Sequence, residues 1–247
     1  MPSHFSSVNP LIHPAFSVVE EQPEFVVINK SPGIGFHDES SEPGICTIVQ
    51  NTLGYPVFPV HRLDKPTSGL LILPKSAAMA KTMTEEFSQH RVEKYYLALS
   101  DQKPSKKQGW VTGDMVKSRG GAWKLTREKK NPAVTYFYSR SLIPGVRCFL
   151  LRLYSGKTHQ ARVALKSLGA PILGDTRYGG GSVWQEGGNV DRLYLHAFAM
   201  RFKCLGREWC FLQTPDQGLL FQEFSRSSLM GDWQSPWELT WPASAGG

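Results

Sequence analysis

The stretch that most constrains the fold is residues 70–73, Leu-Leu-Ile-Leu, held between Gly69 and Pro74. Four consecutive apolar residues bounded by two backbone breakers read as a buried strand. The run feeding it is Pro59-Val60-His61-Arg62-Leu63-Asp64-Lys65-Pro66-Thr67-Ser68. It breaks at Pro66 and again at Gly69, so it is a loop tied to the start of that strand. One carboxylate, Asp64, sits among His61, Arg62 and Lys65. Neighbouring positive charge favours its ionised form, which suits a nucleophile or a base. A turn carboxylate that caps backbone N–H groups has the same local sequence.

Elsewhere the pattern alternates between strands and isolated helices. Residues 25–28 (Phe-Val-Val-Ile) read as a strand, stopped by the turn chemistry of Asn29-Lys30-Ser31-Pro32-Gly33. Ser76 is a helix N-cap, and Met79, Ala80, Met83 and Phe87 give one apolar face up to about His90. Residues 94–100 read as a strand, with Lys94, Tyr96 and Ala98 on one face and Tyr95, Leu97 and Leu99 on the other. Residues 134–139 and 146–154 form a strand pair through Pro144-Gly145. Thr158 or a neighbour starts a helix reaching about Leu168, with Ala161, Ala164, Leu165 and Leu168 at helical spacing. Residues 179–191 read as a Gly-rich, mobile loop, and 193–203 with 208–212 as a hairpin. Strands with segregated helices predict the α+β class.

The formal net charge is +7, which suits a polyanionic partner. Nine basic residues fall between Gln102 and Asn131, opposed only by Asp114 and Glu128 and interleaved with Trp110 and Trp123. That suits phosphate contact with base stacking; a solvated hairpin whose tryptophans cover the core fits equally. Trp233, Trp237 and Trp241 in the tail are expected to pack on the body. Cys46, Cys148, Cys204 and Cys210 lack zinc-site spacing and read as buried small hydrophobes, so no metal is expected. No segment approaches the ~20 apolar residues of a membrane span, and the first ten residues lack a signal-peptide core. The expected location is the cytoplasm.

Two further clusters bear on chemistry. In Lys94-Tyr95-Tyr96, Lys94 and Tyr96 share a face, which allows the phenol to stack on a base and offer its hydroxyl. In Gly156-Lys157-Thr158-His159-Gln160-Ala161-Arg162, a helix places His159, Arg162 and Lys166 in a positive stripe. A guanidinium there can fork onto a carboxylate. A solvated helix face is the plain alternative.

Taken in order, these motifs resemble the RluA branch of the pseudouridine synthases, TruC-like members included. The matching pieces are Asn29-Lys30 with Pro32-Gly33, residues 60–73, Lys94 with Tyr96 and Ala98, and Ala133-Val134-Thr135. Residues 156–162, Pro171-Ile172-Leu173-Gly174-Asp175 with Tyr178-Gly179, and Leu195-His196-Ala197 complete the series. The chain departs from the family at Lys157, where arginine is usual, at Ala161, where a branched aliphatic is usual, and at Ser31, where proline is usual.

The resemblance implies a mixed, largely antiparallel central sheet with flanking helices. It implies an N-terminal arm over residues 1–20 and one catalytic domain over 21–247, with no S4-type RNA-binding domain. The implied reaction isomerises uridine to pseudouridine in structured RNA, ribosomal or transfer, after extrusion of the base. No cofactor is implied, because neither electrons nor groups leave. Asp64 takes the place of the family's catalytic aspartate, Tyr96 of its active-site tyrosine and Arg162 of the arginine paired with the aspartate. Arg62 is the candidate for entering the RNA stack. His61, Lys94, Lys157, His159 and Gln160 are candidate substrate or RNA contacts. No protein partner is implied, and a monomer suffices. One rival is a non-catalytic RNA-binding or ribosome-assembly factor on the same fold. Another is a glycoside-type hydrolase, which needs two carboxylates; Asp175, the only other acid in a matched motif, reads as a turn cap.

Overall fold

In the computed structural model, which describes residues 12–179, 183–184 and 188–243, the chain opens with strands β1 (Ile12–His13), β2 (Phe16–Glu21) and β3 (Phe25–Lys30). Helix α1 (Ile45–Leu53), β4 (Ser68–Pro74), α2 (Ala77–Ser88) and β5 (Glu93–Ser100) follow. Next come β6 (Gln108–Gly113), β7 (Met115–Lys117), β8 (Trp123–Leu125), β9 (Ala133–Ile143), β10 (Val146–Leu153) and α3 (Gln160–Ser167). The last elements are β11 (Val183–Trp184), β12 (Gly188–Asn189), β13 (Leu195–Cys204), β14 (Arg207–Leu212), α4 (Leu219–Arg226) and α5 (Ser228–Trp233). Ten strands form one sheet in the order β1-β2-β3-β4-β13-β5-β10-β9-β6, with β14 also on β13. Every pairing in it is antiparallel except β4 with β13. This is the expected α+β architecture.

The apolar run 70–73 is explained by cover on both faces. On one side Leu71 and Leu73 of β4, with Val26 and Ile28 of β3, pack against Ile45 and Val49 of α1. On the other, Leu70, Ile72, Phe25 and Val27 pack against Met79 and Met83 of α2. A strand buried on both faces has no reason to alternate with polar residues. The Ser76 hydroxyl accepts the Met79 N–H at 3.2 Å and starts α2 as expected.

The sheet branches at β13, and the branch builds the site. β13 pairs with β4 only through His196 and Ala197, against Ser68 and Gly69. From Ala199 onward that edge of β13 takes β14 instead. Gly69 has φ +111°, and a Cβ on it would lie 2.3 Å from the Ala197 carbonyl oxygen, so only glycine fits the branch point. The freed part of β4 is closed by the segment that precedes it. Phe58 N–H donates to the Pro74 carbonyl and Ile72 N–H to His61 Nε2, both at 2.9 Å.

Three expectations need correction. The boundary drawn at residue 20 falls inside β2, which pairs with β3 and buries Phe16, so residues 16–20 belong to the sheet and not to an arm. The polar stripe drawn through His159, Arg162 and Lys166 does not exist. His159 is the N-cap of α3 with φ 59°, Arg162 is buried, and only Lys166 is exposed. Cys148 and Cys204 are buried, but Cys210 is exposed because it lies on the outer face of β14. The loop expected at 179–191 lies partly outside the described residues; within it β11 and β12 form a short antiparallel ladder. Trp233 is buried, and Trp241 packs on Tyr95, Tyr136 and Tyr138, as expected of the tail.

Candidate active site

Asp64 stands at the end of the loop that His61 pins to β4. Thr67 N–H donates to the Asp64 carbonyl at 2.9 Å and closes the turn. The turn is also clamped from β3. The Lys65 carbonyl accepts from Gly33 N–H at 2.8 Å and from Lys30 Nζ at 3.3 Å. Lys30 Nζ donates further to the Ser31 and Ile34 carbonyls at 2.8 and 3.0 Å. Lys30 is fully buried. Burial, with Arg192 nearby, pushes its ammonium down to about 7, against the pull of Asp64. Asn29 and Lys30 are thus the last residues of β3 and not a turn, and the Lys30 side chain positions the Asp64 loop.

Tyr96 reaches the same place from β5. Ala197 pairs with Gly69 on one side and with Tyr96 on the other. The backbones of Gly69, where the Asp64 loop enters β4, and Tyr96 are therefore about two strand spacings apart, roughly 9–10 Å across the sheet. Burial, and then the Asp64 carboxylate, push the Tyr96 phenol well above its ordinary range, so it is a protonated group. Leu151 of β10 pairs with Tyr96 on its far side, and β10 leads directly into α3.

Arg162 projects from α3 to Asp64, but not with the fork that its chemistry suggested. Arg162 Nη1 donates to Asp64 Oδ2 at 3.1 Å. The fork itself grips Asp175, with Nε to Oδ2 and Nη2 to Oδ1 both at 2.8 Å. Burial alone would lower Arg162; the pairs with Asp175 and Asp64 outweigh it and hold the guanidinium above its ordinary value. Asp175 does cap a turn, accepting from Arg177 N–H and Tyr178 N–H at 3.2 Å each. It does both jobs, and its side chain is fully buried. His159 Nε2 lies 3.7 Å from Asp64 Oδ2, and its Nδ1 is 2.8 Å from the Tyr178 hydroxyl. Asp175, read from the sequence as a turn cap only, and Tyr178 were not among the candidate site residues. The only signal for them was membership of the matched block 171–179.

Asp64, Tyr96 and His159 border a recess of about 420 Å³, within the size range of small-ligand sites, and Arg162 borders a smaller one beside it. Arg62, His90, Lys94 and Lys157 line the larger recess, and Asp64 is its only carboxylate among the described residues. Lys94 is buried, donates to the Ser155 carbonyl at 3.2 Å, and is pushed down to about 8 by burial. Lys157 Nζ donates to Asn131 Oδ1 at 2.7 Å on the rim. Arg62 is exposed, 3.3 Å from His37 Nε2 and over the Phe36 ring. In the smaller recess Thr67 is buried, with a hydroxyl that has no partner among the described residues.

Two of the candidate RNA contacts are committed to the protein. His61 lines the recess, but its Nε2 accepts from β4 and its ring stacks on Phe87 at 4.5 Å. Burial, with Lys94 nearby, pushes it down to about 3, so it is neutral. Gln160 is buried. Its Oε1 accepts from Ser155 Oγ and Lys157 N–H, and its Nε2 donates to the Val134 carbonyl and Thr135 Oγ1. Gln160 fixes the β10–α3 connection. In the basic segment, Lys117, Arg119 and Lys124 are exposed, whereas Trp110 is half-buried against Tyr136 and Tyr154. Among the described residues no helix is long and apolar enough to cross a membrane, and no group of three or more metal-ligating side chains comes together.

Comparison with known proteins gives this geometry a family. The model of the RNA pseudouridylate synthase family matches residues 24–167. An uncharacterized RNA pseudouridine synthase of Haemophilus influenzae is 49% identical over 202 residues, covering 81% of this chain and 88% of the relative. A tRNA pseudouridine synthase C of Haemophilus ducreyi is 32% identical, covering 72% and 82%. A ribosomal large subunit pseudouridine synthase C of Rickettsia bellii is also 32% identical, covering 77% and 65%. The solved structure of human RNA pseudouridylate synthase domain containing 1 superposes with a TM-score of 0.66 at 24% identity, over 81% of this chain and 83% of that one. That likeness speaks to the fold. The chain belongs to the RNA pseudouridine synthase family, on its RluA/TruC-like branch. It is a pseudouridine synthase, an isomerase whose substrate is RNA.

Proposed function

We propose that the protein isomerises specific uridines in structured RNA of the cytoplasm, ribosomal or transfer, as a monomer, with Asp64 as the catalytic group. The observation that carries this reading is that Asp64 is the only carboxylate among the described residues lining the recess, which Arg62, Lys94 and Lys157 also line. A hydrolytic mechanism would need a second acid across the bond, and Asp175 is buried with both oxygens bonded.

The reaction breaks the N1–C1′ bond, turns the uracil and forms a C5–C1′ bond; C5 loses a proton and N1 gains one. The target base must first leave its stack, at a cost of a few kcal/mol. Arg62, exposed at the mouth, fills the space that the base leaves. Lys94 and Lys157 take the phosphates that flank the extruded nucleotide. Lys94 makes no ion pair with any described side chain, so a phosphodiester supplies the missing counter-charge. Tyr96 packs against uracil, and its protonated phenol donates hydrogen bonds rather than acting as a base. Asp64, aligned by Arg162 Nη1, acts at the sugar or the base.

Mapping pseudouridines in total RNA tests this. Cells lacking the gene lose one or a few sites, the parental gene restores them, and Asp64→Asn does not. Restoration by Asp64→Asn would remove the catalytic assignment. RNA binding by a parent that modifies no site would favour the non-catalytic assembly factor.

A further inference from the structure

His159 and Tyr178 form a hydrogen-bonded chain that the reaction above leaves unused. Trp123 N–H lies 3.0 Å from the Tyr178 hydroxyl oxygen. A backbone amide only donates, so the phenol oxygen accepts. Its one proton then has a single partner among the described residues, His159 Nδ1 at 2.8 Å. Nδ1 is thereby an acceptor, and a neutral imidazole must carry its proton on Nε2. Nε2 is the nitrogen that faces Asp64 Oδ2, at 3.7 Å. Contacts of that length commonly tighten when substrate is bound.

The ring has little freedom to escape this arrangement. It stands edge-on to Tyr178, with centroids 5.7 Å apart and an interplanar angle of 84°. Its backbone is fixed in the left-handed region at the start of α3. The charged groups around it are Asp64, Arg162, Arg177 and Asp175, and burial with the two arginines outweighs the acids and keeps it neutral. The far end of the chain belongs to the β7–β8 hairpin. Trp123 opens β8, and Arg177 Nη1 donates to the Gly121 carbonyl of the same hairpin at 3.0 Å. Lys117, Arg119 and Lys124 of that hairpin are exposed.

We propose that Tyr178 is a positioning residue that sets the tautomer of His159, so that docking of the β7–β8 hairpin on the Tyr178 turn aims an Nε2–H donor at Asp64. This rests on the reading of Asp64 as the catalytic group. With the hairpin docked, Asp64 Oδ2 accepts from Arg162 Nη1 and has the His159 Nε2–H aimed at it from 3.7 Å. With the hairpin displaced, the phenol is released from Trp123 and the imidazole proton is free to move to Nδ1. A hairpin carrying three exposed cations is placed to be pressed home by RNA, which makes the aim of the acid dependent on substrate contact some distance from the base.

The test uses the full chain. Imidazole ¹⁵N spectra show His159 as the Nε2–H tautomer in the parent, with an Nδ1–H population growing in Tyr178→Phe. In RNA assays Tyr178→Phe lowers kcat roughly tenfold, the size of one lost hydrogen bond, with KM changed less than about twofold. His159→Gln presents an amide donor near the Nε2 position that needs no tautomer; in that background Tyr178→Phe has no further effect on kcat. An Nδ1–H tautomer in the parent, or an equal loss from Tyr178→Phe in both backgrounds, would overturn the proposal. The spectra do not depend on the role of Asp64, so an active Asp64→Asn variant would remove that role and leave the tautomer readout standing.

Discussion

Lys94 and Arg162 are two buried cations, and they are handled differently. Arg162 is compensated by a bidentate carboxylate that is itself buried. Among the described residues Lys94 has only a carbonyl and the face of Phe87. The first arrangement is stable as it stands; the second improves when an anion arrives. Lys94→Gln is therefore expected to raise KM for RNA roughly tenfold and to reduce the salt dependence of binding by about one phosphate contact. Because the parental ammonium is charged below about 8, kcat/KM falls as pH rises through that value, and the variant lacks this limb. A variant with the parental limb would show that another group titrates. Asp175→Asn breaks the fork and strands a buried guanidinium, which costs about 3–5 kcal/mol. Asp64 makes a single bond to a guanidinium that keeps its Asp175 fork, so Asp64→Asn is expected to cost less stability than Asp175→Asn. Urea unfolding of the two variants separates them, and equal losses would contradict the division between a structural and a functional acid.

At the scale of elements, the junction of β4 with β13 decides whether the site exists. Gly69→Ala forces a Cβ into the Ala197 carbonyl at a positive φ and is expected to cost about 2–4 kcal/mol, read as a lower urea midpoint. An unchanged midpoint would mean that the branch yields easily. What was legible in the sequence follows the same physics. β3, β4 and α2 announce themselves because their apolar residues are contiguous or periodic and their ends carry breakers and a cap. α1 does not: Gly44 at its start offers no side-chain cap, its first turn has no acid and its last turn no base. Asp64, Tyr96 and Arg162 were legible as a set because each lies in a motif. The fork from Arg162 to Asp175 was not, since nothing in a sequence says which of two carboxylates a guanidinium will meet. Nor was the fate of His61 and Gln160, whose polar atoms serve a strand edge and a helix entry.

Across the whole molecule, the pairing of Ala197 with both Gly69 and Tyr96 lets one strand set the distance between a loop before β4 and a side chain on β5. His196 secures that strand. Ser68 lies 2.7 Å from its Nδ1, Arg192 Nη2 donates to Ser68 Oγ at 2.6 Å, and His196 Nε2–H donates to the Gln213 carbonyl at 2.8 Å. Burial pushes both His61 and His196 down to about 3, so the folded chain keeps them neutral. The unfolded chain binds protons at both below about pH 6.5. Their contribution to stability is complete above that value and is lost as pH falls toward the folded value. The loss is about 1.4 kcal/mol per pH unit for each histidine. Urea midpoints measured from about pH 7.5 to 5 should fall in the parent and fall less steeply in His196→Gln; parallel slopes would contradict this assignment.

In the reaction proposed above Asp64 does the chemistry, as the only carboxylate among the described residues lining a recess that Arg62, Lys94 and Lys157 also line. RNA from cells lacking the gene retains the unmodified target, so the purified protein can be assayed on it directly under single turnover. The parent is expected to convert its uridines, while Asp64→Asn binds the same RNA and forms pseudouridine at least about a thousandfold more slowly. An Asp64→Asn variant working within about tenfold of the parental rate would contradict the account.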